Sequence, residues 1–501
     1  MDYHFLHNVL YGFQISLLPT NLLYCFIGVL LGTLVGVLPG LGPGAAISLL
    51  LPTTFGLSSA SAIIMLCGIY YGAMYGGSTT SILVNLPGEA ASVVTTLDGY
   101  QMAQQGRAGA ALGISAFGSF IGGTLGTVVL MFLAPPLARM ALRFGPPEYC
   151  SLIVLGFILL TYLAAGSMIK ALMMALFGIL LGCVGMDAIS GTSRFVYGIQ
   201  ALYEGLGLIP IIMGLFGISE VLLNVEQELT ERNLRVTSYR GLLPNWEDWK
   251  KSLGPIFRGS GVGFLLGTLP GGGAIVSSFA SYTIEKRLSK YPEKFGTGMI
   301  EGVAGPEAAN NAACSGGLVP MLTLGIPSNA IFAIMIGALL MHGVQPGPLL
   351  IKEAPDVFWG VIVSMYVGNG MLLVLNLPLI SIWVKILKVP YAILFPLILL
   401  FCLIGSYTLS NSIADIVVMI IFGVIGYFTK KFEFEGAPLV FALVLGPLFE
   451  NALRQSLLMS NGDLAVFVKR PISAGLLVLA GALLVMAFLF KHRPGKDLRE
   501  D

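Results

Sequence analysis

The chain has 501 residues, of which 56% are apolar and 11% are charged, against roughly 25% charged residues in an ordinary soluble domain. This composition indicates an integral membrane protein, and the net charge of +1 offers no basic field that would attract nucleic acid. No two of the six cysteines lie within three residues of each other, so neither a CxxC redox pair nor a zinc knuckle is available. We therefore expect no transition-metal site.

The first apolar region, residues 3–88, contains no Asp, Glu, Lys or Arg. It is long enough for several crossings, because a spanning helix needs roughly 20 apolar residues. A helix is predicted over 21–38, followed by GVLPGLGPGAA from Gly36 and a second apolar arm over 45–55. The two arms are either two full spans or a hairpin that enters and leaves on one side. In both cases the Gly/Pro turn must be buried in protein or line a wet cavity, because lipid cannot satisfy its free backbone groups.

A further helix is predicted over 61–75, and it leads into a second break, GGSTTSILVNLPGEA from Gly76. Four consecutive hydroxyl residues occur there, namely Ser78, Thr79, Thr80 and Ser81. An isolated Ser or Thr in a span usually bonds to its own helix. Four in a row, between Gly-Gly and Asn-Leu-Pro-Gly, instead favour a polar interruption of the membrane helix.

Both breaks recur in the second half of the chain. GTLPGGGAIVS from Gly267 repeats the first, and GGLVPMLTLGIPSNA from Gly316 repeats the second. Placing Gly36 on Gly267 gives an offset of 231, and placing Pro87 on Pro327 gives 240, so the second copy is nine residues longer. The extra residues fall in the polar stretch EKRLSKYPEKF. Duplication of one unit that kept its interrupted helices is the simplest account.

This pattern predicts an all-α polytopic membrane protein with about 12 transmembrane helices plus re-entrant hairpins. The predicted segments are a first repeat unit over 1–223 with a hairpin at 21–56 and a broken helix at 61–90, a hydrophilic linker over 224–258, a second repeat unit over 259–490 with a hairpin at 259–285 and a broken helix at 298–345, and a tail over 491–501.

Charge placement predicts how the halves are oriented. The loop after the second hairpin carries Lys286, Arg287, Lys290 and Lys294, whereas the equivalent FGLSSASA carries no charge. Positive charge is retained on the cytoplasmic side, so the two loops lie on opposite faces and the repeats are inverted; accidental drift of the loop sequence is the alternative. The basic tail from Lys491 places the C-terminus inside. Inverted repeats with discontinuous helices are typical of secondary transporters, which bind substrate and ions near the midplane.

Unwound helices offer N–H groups to an anion where a half-helix begins and C=O groups to a cation where one ends. Neutral amides and hydroxyls at the breaks bind a carboxylate and cost less to bury than charged groups. The candidate substrate-binding residues are Gly42, Gly44, Ser78, Thr79, Thr80, Ser81, Asn85, Gly271, Gly272, Gly273, Asn310, Asn311, Ser328 and Asn329. The candidate ion-binding residues, for Na⁺ or H⁺, are Gly40, Asn85, Pro270, Glu307, Thr323 and Gly325.

Two acids near the breaks allow two interpretations. Glu89 and Glu307 are either intramembrane carboxylates that carry a proton or bind a cation, or caps of half-helices, since Glu is favourable in a first turn. Asp187, Asp415 and Glu450 stand near predicted helix ends and are expected at the interface. His342 is expected to be a structural hydrogen-bonding residue.

Other function classes lack their motifs. The four histidines form no HExxH and no GxSxG occurs, so we do not expect an enzyme. The Gly-Lys pair at Gly495 is followed by Asp497, which does not fit a phosphate loop of an ATP-driven pump. An ion channel is the closer rival, because broken helices also line pores.

The segments GVLPGLGPGAA, YGGSTTSILVNLPGEAAS, GTLPGGG, GPEAANNAACSGGLVPMLTLGIPSNA and HGVQPGP resemble the hallmark segments of the large membrane subunit of tripartite tricarboxylate transporters, over residues 15–490. This resemblance implies an ion-driven uptake system of the bacterial inner membrane. Its expected partners are a small four-helix membrane subunit and a periplasmic solute-binding protein that delivers citrate or another organic acid. Analogy with ion transporters that have paired hairpins implies an elevator mechanism. An ion channel, or an organic-anion carrier that works without a binding protein, is the alternative.

Overall fold

The computed structural model describes residues 3–38, 42–162, 167–187, 189–228, 241–386 and 391–490, which are helical almost throughout. In chain order the α-helices are α1 (Tyr3–Ser16), α2 (Pro19–Val37), α3 (Pro43–Leu50), α4 (Ser59–Val84), α5 (Val93–Thr95), α6 (Ala108–Ala141), α7 (Pro146–Tyr162), α8 (Met168–Gly182), α9 (Leu208–Ile212), α10 (Ser219–Glu228), α11 (Trp246–Gly267), α12 (Gly273–Leu288), α13 (Glu301–Leu324), α14 (Ala330–Met341), α15 (Leu350–Glu353), α16 (Pro355–Asn376), α17 (Ile380–Ile386), α18 (Tyr391–Ser410), α19 (Ile413–Lys431), α20 (Gly436–Met459), α21 (Val466–Lys469) and α22 (Pro471–Phe490).

Shorter regular segments connect these helices. The 3₁₀ turns are Leu51–Thr54, Ala90–Ser92, Gln200–Leu202 and Pro292–Lys294, and the π-helical turns are Thr96–Tyr100, Ala103–Arg107 and Met213–Ile218. Two strands, β1 (Gly185–Met186) and β2 (Ser193–Arg194), pair antiparallel with Gly185 opposite Arg194. This two-residue ladder is a small local exception to the predicted all-α fold.

Six helices in the described part of the chain are long and apolar enough to cross a membrane: Pro19–Val37, Ser59–Val84, Ala103–Ala141, Pro355–Asn376, Ile413–Lys431 and Gly436–Met459. Shorter apolar helices accompany them at Pro146–Thr161, Met168–Gly182, Leu208–Leu223, Ala330–Met341, Ile398–Thr408 and Pro471–Val485. The chain is therefore an all-α polytopic membrane protein, as predicted. The number of crossings stays a prediction, because a helix shorter than the hydrocarbon thickness crosses only where the bilayer thins or its flanking residues reach the interface.

The chain divides into two compact units, Met1–Ala141 with Gly207–Phe432, and Leu142–Leu206 with Glu433–Asp501. This division cuts across the predicted repeat units rather than following them, so the repeat boundaries stay a prediction. All four Gly/Pro breaks lie in the first unit.

Helices α2 and α4 pack closely along a row of glycines. A methyl group on any of these glycines would lie within 2.5 Å of a carbonyl oxygen of α4: Gly28 faces Met65 (2.3 Å), Gly32 faces Ile69 (2.5 Å) and Gly36 faces Ala73 (2.2 Å). Small residues at such spacing let membrane helices approach backbone to backbone. Because the contacts advance in the same direction on both helices, α2 and α4 run parallel.

Helices α11 and α13 pack by the same pattern. Gly259 faces Gly305 (2.2 Å), Gly263 faces Ala309 (2.1 Å) and Gly267 faces Ala313 (2.4 Å). Each glycine lies 231 positions after its α2 counterpart, and each facing residue lies 240 positions after its α4 counterpart. The two offsets found in the sequence thus recur as contacts between helices.

Helices α4 and α13 cross in opposite directions. Ser78 Oγ of α4 donates to Glu307 Oε2 of α13 at 2.6 Å, while Tyr70 of α4 interacts with Cys314 of α13. Moving from residue 78 back to 70 on α4 therefore moves forward from 307 to 314 on α13. The two helices run antiparallel.

The breaks after α4 and after α13 begin later than the sequence suggested. Helix α4 continues through the Gly-Gly pair and ends at Val84, and α13 likewise ends at Leu324. The next residues, Asn85 (φ 57°) and Gly325 (φ 70°), adopt the left-handed conformation that ends a helix. Gly76 stays helical because it fits against α2, where a methyl group would lie 2.3 Å from Thr33 O.

The predicted hydrophilic linker is partly helical. Helix α11 begins at Trp246, and the Oδ1 of Asn245 accepts from Asp248 N at 2.8 Å as its N-cap. Residues 246–258 therefore form the first half of a long helix, and residues 229–240 lie outside the described part.

The second unit contains an ionic cluster next to the β1–β2 ladder. Arg454 Nη1 lies 2.8 Å from Asp187 Oδ2, and Arg194 Nη1 lies 2.8 Å from Glu450 Oε1. Hydrogen bonds from Ser190 and Arg454 hold the pKa of Asp187 below its ordinary value. Asp187 and Glu450, two of the three acids that were expected at the interface, thus form salt bridges.

Candidate functional site

The break after α13, residues 325–329, forms a short polar bridge between α13 and α14. Asn329 caps α14, because its Oδ1 accepts from Phe332 N at 3.1 Å. Its Nδ2 donates to the hydroxyl of Tyr70 in α4 at 3.2 Å. The neighbouring Ser328 Oγ is buried and has no hydrogen-bond partner among the described residues.

The tip of the second hairpin is bonded to this break. Gly271 (φ 81°) donates from its backbone N to Ser328 O at 2.7 Å. Gly273, where α12 begins, lies against Asn329, since a methyl group there would be 3.6 Å from Asn329 Nδ2. Gly272 has no room for a side chain, because a methyl group would be 1.9 Å from Leu266 O. The hairpin turn and the break therefore form one connected site.

The start of α3 lies against the start of α14. Gly42 is the N-cap of α3, and a methyl group on Gly44 would be 3.9 Å from Ile331 Cγ1 and 4.0 Å from Ile334 Cδ1. Gly40 lies outside the described residues. The N-termini of α12 and α14 consequently meet at Asn329, and the N-terminal turn of α3 packs against the start of α14. Helix N-termini present free N–H groups and the positive end of the helix dipole, which favours an anion.

The break after α4 is built differently from the break after α13. Asn85 is exposed and serves as the left-handed C-cap of α4. Glu89 caps the turn at Ala90–Ser92, with Oε2 accepting from Ala91 N at 2.6 Å, so the capping interpretation holds for this acid. Its other oxygen, Oε1, lies 3.4 Å from Asn310 Nδ2 of α13.

The run of hydroxyl residues lies inside α4 rather than in an open break. Ser81 Oγ lies 2.9 Å from Gly77 O, and Thr80 Oγ1 donates to Val37 O of α2 at 2.7 Å. Thr79 is buried. Thr323 in α13 bonds in the same local way, to Val319 O at 2.7 Å. Thr80 therefore joins α4 to α2, whereas Ser81 and Thr323 bond to their own helices, as intramembrane hydroxyls commonly do.

Glu307 occupies a pocket of hydroxyl groups. It is fully buried in the second turn of α13. Its carboxylate accepts from Ser78 Oγ of α4 at 2.6 Å, from Thr95 Oγ1 of α5, and from Ser119 Oγ of α6 at 3.2 Å. The capping interpretation is therefore wrong for Glu307. Thr95 and Ser119 were missed in the sequence, because they lie 212 and 188 residues away and belong to no motif.

Several buried polar atoms near the α4–α13 crossing have no partner among the described residues. They are Tyr75 OH, Asn310 Oδ1, Asn311 Oδ1 and Ser328 Oγ. Buried polar groups are normally hydrogen-bonded, so an unpaired group suggests a ligand, an ion or water. Three of the four belong to the residues that the sequence singled out.

The family model of the tripartite tricarboxylate transporter TctA family matches residues 22–441. The chain belongs to the TctA family. This is a family of tripartite transporters and not of enzymes. The matched range of this TctA-family chain contains all four Gly/Pro breaks, together with Glu89 and Glu307.

Two relatives from Agrobacterium vitis are similar to this TctA-family chain. The "Uncharacterized 52.8 kDa protein in TAR-I ttuC' 3'region" is 50% identical over 490 residues, which cover 98% of this chain and 97% of the relative. The "Uncharacterized protein in TAR-II ttuC' 3'region" is 49% identical over 235 residues, which cover 47% of this chain and 97% of the relative. No solved structure matches the chain.

The structure of this TctA-family chain sorts the predicted site residues into groups. Gly42, Gly44, Pro270, Gly271, Gly272, Gly273, Ser328 and Asn329 lie in or next to the meeting point of α3, α12 and α14. Asn310, Asn311 and Glu307 lie on α13, with Ser78 opposite them. Asn85 is exposed in the break after α4, and Gly325 is the buried C-cap of α13. Thr79, Thr80, Ser81 and Thr323 lie within helices.

Proposed function

We propose that this protein is the large membrane permease subunit of a binding-protein-dependent, cation-driven secondary uptake system for tricarboxylates or related organic acids. Na⁺ or H⁺ drives the uptake. The protein spans the bacterial inner membrane with its C-terminus in the cytoplasm. Its partners are a small four-helix membrane subunit and a periplasmic solute-binding protein. The observation that carries this proposal is the meeting of the N-termini of α12 and α14 at Asn329, with the N-terminal turn of α3 packed against the start of α14.

The chemistry of this meeting point suits a carboxylate. The N–H groups of three helix ends and the hydroxyl of Ser328 are donors, and no Lys or Arg contacts them within the described residues. Backbone donors bind an anion without the desolvation cost of a buried cationic side chain. We assign substrate contacts to the glycines of the α3 and α12 starts and to Ser328, Asn329, Asn310 and Asn311.

The inverted arrangement of the two halves is supported by helix directions. Helix α4 runs parallel to α2, α13 runs parallel to α11, and α4 and α13 run antiparallel to each other. A second half inverted relative to the first would have this relation. Inverted repeats bring broken helices together at the midplane, where carbonyl groups at Pro270, Asn85 and Gly325 would be available to the driving cation.

The bond between the tip of the second hairpin and the break after α13 supports an elevator mechanism. Because Gly271 is bonded to Ser328, the hairpin and the substrate site would move as one body against the remaining helices. This step also rests on analogy with other transporters that have paired hairpins.

Reconstitution in proteoliposomes tests the proposal. The chain is combined with its small subunit and its binding protein, and uptake of radiolabelled citrate and other di- and tricarboxylates is measured under an imposed Na⁺ or H⁺ gradient. We expect saturable uptake that requires the binding protein and one cation gradient. High unitary ion conductance would instead support a channel, and uptake that is independent of the binding protein would support the simpler carrier.

A further inference from the structure

The hydroxyl pocket around Glu307 has a closed geometry. Three donors from three separate elements, Ser78 of α4, Thr95 of α5 and Ser119 of α6, contact the carboxylate directly. Among the described residues no Lys, Arg or His forms a salt bridge with it. A carboxylate is therefore buried in the protein without a fixed counter-charge.

The neighbouring ionisable groups add no positive charge. Tyr75 of α4 and Glu89 of the break after α4 interact electrostatically with Glu307. In the π-helical turn Thr96–Tyr100, Asp98 accepts from the backbone N of residues 296, 298 and 299, just before α13 begins. On α12, Glu285 is paired with Arg258 of α11, and Glu301 begins α13. The described part of α5 and α6 places no acid or base against the pocket.

An isolated buried charge of this kind is expensive. Even after relaxation, the desolvation penalty is on the order of several kcal/mol per ion, and hydroxyl donors offset only part of it. Two buried acids, Glu89 and Glu307, interact here, so a second charge would be more costly than the first. The pair needs at least one positive charge from outside the chain.

The geometry favours a proton over a metal ion. The hydroxyl groups of Ser78 and Ser119 lie at 2.6 Å and 3.2 Å from Glu307 Oε2, which are direct hydrogen-bond distances. A metal ion between these oxygens would force them apart. A proton fits without rearrangement, because a hydroxyl can reverse its bond and accept from the protonated acid.

We propose that Glu307 is the proton-binding site that couples transport to a pH gradient. The carboxylate takes up one proton from water to form the neutral acid, with one new O–H bond, and releases the same proton on the other side of the membrane. Ser78, Thr95 and Ser119 stabilise the ionised form. This inference rests on the proposed uptake function and narrows its driving cation to H⁺.

The test compares two transport assays of the reconstituted complex. Net uptake driven by a pH gradient requires the proton cycle, whereas exchange of internal for external organic acid does not. In Glu307→Gln, an amide permanently mimics the neutral acid. We expect exchange to stay within about twofold of wild type while net uptake and lumenal acidification fall by about tenfold or more, as for loss of an intramembrane proton carrier.

Matched variants keep the test decisive. Glu301→Gln, in the first turn of the same helix, should leave both assays unchanged. Thr95→Val removes a donor to the ionised form, so the pH at which exchange is half-maximal should rise. If Glu307→Gln fails to fold, the pH of half-maximal exchange in Thr95→Val tests the proposal instead. A pH profile of exchange that matches wild type would then overturn it.

The failure of each proposal has its own signature. Wild type that exchanges no organic acid would contradict the uptake function. Wild type that exchanges, with Glu307→Gln still accumulating substrate under a pH gradient, would overturn the proton site alone. So would uptake that needs Na⁺ and leaves lumenal pH constant.

Discussion

Asn329 donates from Nδ2 to the hydroxyl of Tyr70 at 3.2 Å. A second contact, from Asn310 Nδ2 to Glu89 Oε1 at 3.4 Å, has the same relation with the two halves exchanged. Residue 310 lies 240 positions after 70, and residue 89 lies 240 positions before 329. Each long helix thus contacts the capping residue of the opposite half, and the two breaks are held by equivalent bonds.

Removing one of these bonds should weaken substrate binding. In Tyr70→Phe, Asn329 loses a partner while the ring stays packed against Phe332. A typical hydrogen bond contributes about 1 kcal/mol, so the KM for uptake should rise about fivefold. Tyr71→Phe is the matched control, because its hydroxyl faces Cys25 at 3.9 Å and not the break. Equal KM values in the two variants would show that the Tyr70–Asn329 bond does not contribute to substrate binding.

Asn85 distinguishes a backbone role from a side-chain role. It is exposed and left-handed (φ 57°), and its counterpart 240 positions later is Gly325 (φ 70°). Asn85→Gly should therefore retain near wild-type uptake, whereas Asn85→Leu should lose about 1–2 kcal/mol of stability through left-handed strain. Uptake assays and thermal unfolding in detergent measure both. Loss of uptake in Asn85→Gly with unchanged stability would make the amide a ligand instead.

The glycine spacing was easier to recognise in the sequence than the site. Gly36 and Gly267 are recognisable because membrane backbones approach only where side chains are small, and this requirement leaves a periodic pattern. The positions of Thr95 and Ser119 against Glu307 leave no such pattern. Their contact depends on how α5 and α6 pack on α13, which is set by tertiary structure.

The hydroxyl run illustrates a second limit. Ser81 and Thr80 looked like ligands because a polar run is rare in a membrane segment. The structure gives them partners within the protein, Gly77 O and Val37 O. A polar residue in a span satisfies either a ligand or a neighbouring backbone, and local sequence does not tell which.

The glycine rows predict a stability difference between neighbouring positions. A methyl group on Gly263 would lie 2.1 Å from Ala309 O, whereas one on Gly261 would meet no described atom within 4 Å. Gly263→Ala should destabilise the protein by about 1–3 kcal/mol through overpacking, and Gly261→Ala should be neutral or slightly stabilising. Unfolding of the purified protein in detergent measures both. Equal stability of the two variants would contradict the backbone contact of α11 with α13.

Ser328 tests the substrate site directly. Its hydroxyl is buried and has no partner in the part of the chain that the structure describes, so we expect it to donate to a substrate carboxylate. A hydrogen bond to a charged group contributes about 1.5–3 kcal/mol, and Ser328→Ala should raise the KM for uptake by roughly ten- to a hundredfold with little change in stability. Ser364→Ala is the control, since that buried hydroxyl bonds to Val361 O within its own helix. An unchanged KM in Ser328→Ala would remove this residue from the substrate contacts.

Sidedness of the two hairpin loops tests the central claim of inverted halves most directly. Gly56→Cys and Lys290→Cys place thiols at exposed positions after the first and second hairpins. Five of the six native cysteines are buried, so wild type gives the labelling background. Membrane-impermeant maleimide is applied to oriented vesicles from either side. Inverted halves predict that Gly56→Cys labels only from the periplasm and Lys290→Cys only from the cytoplasm. Labelling of both from the same side would contradict the account.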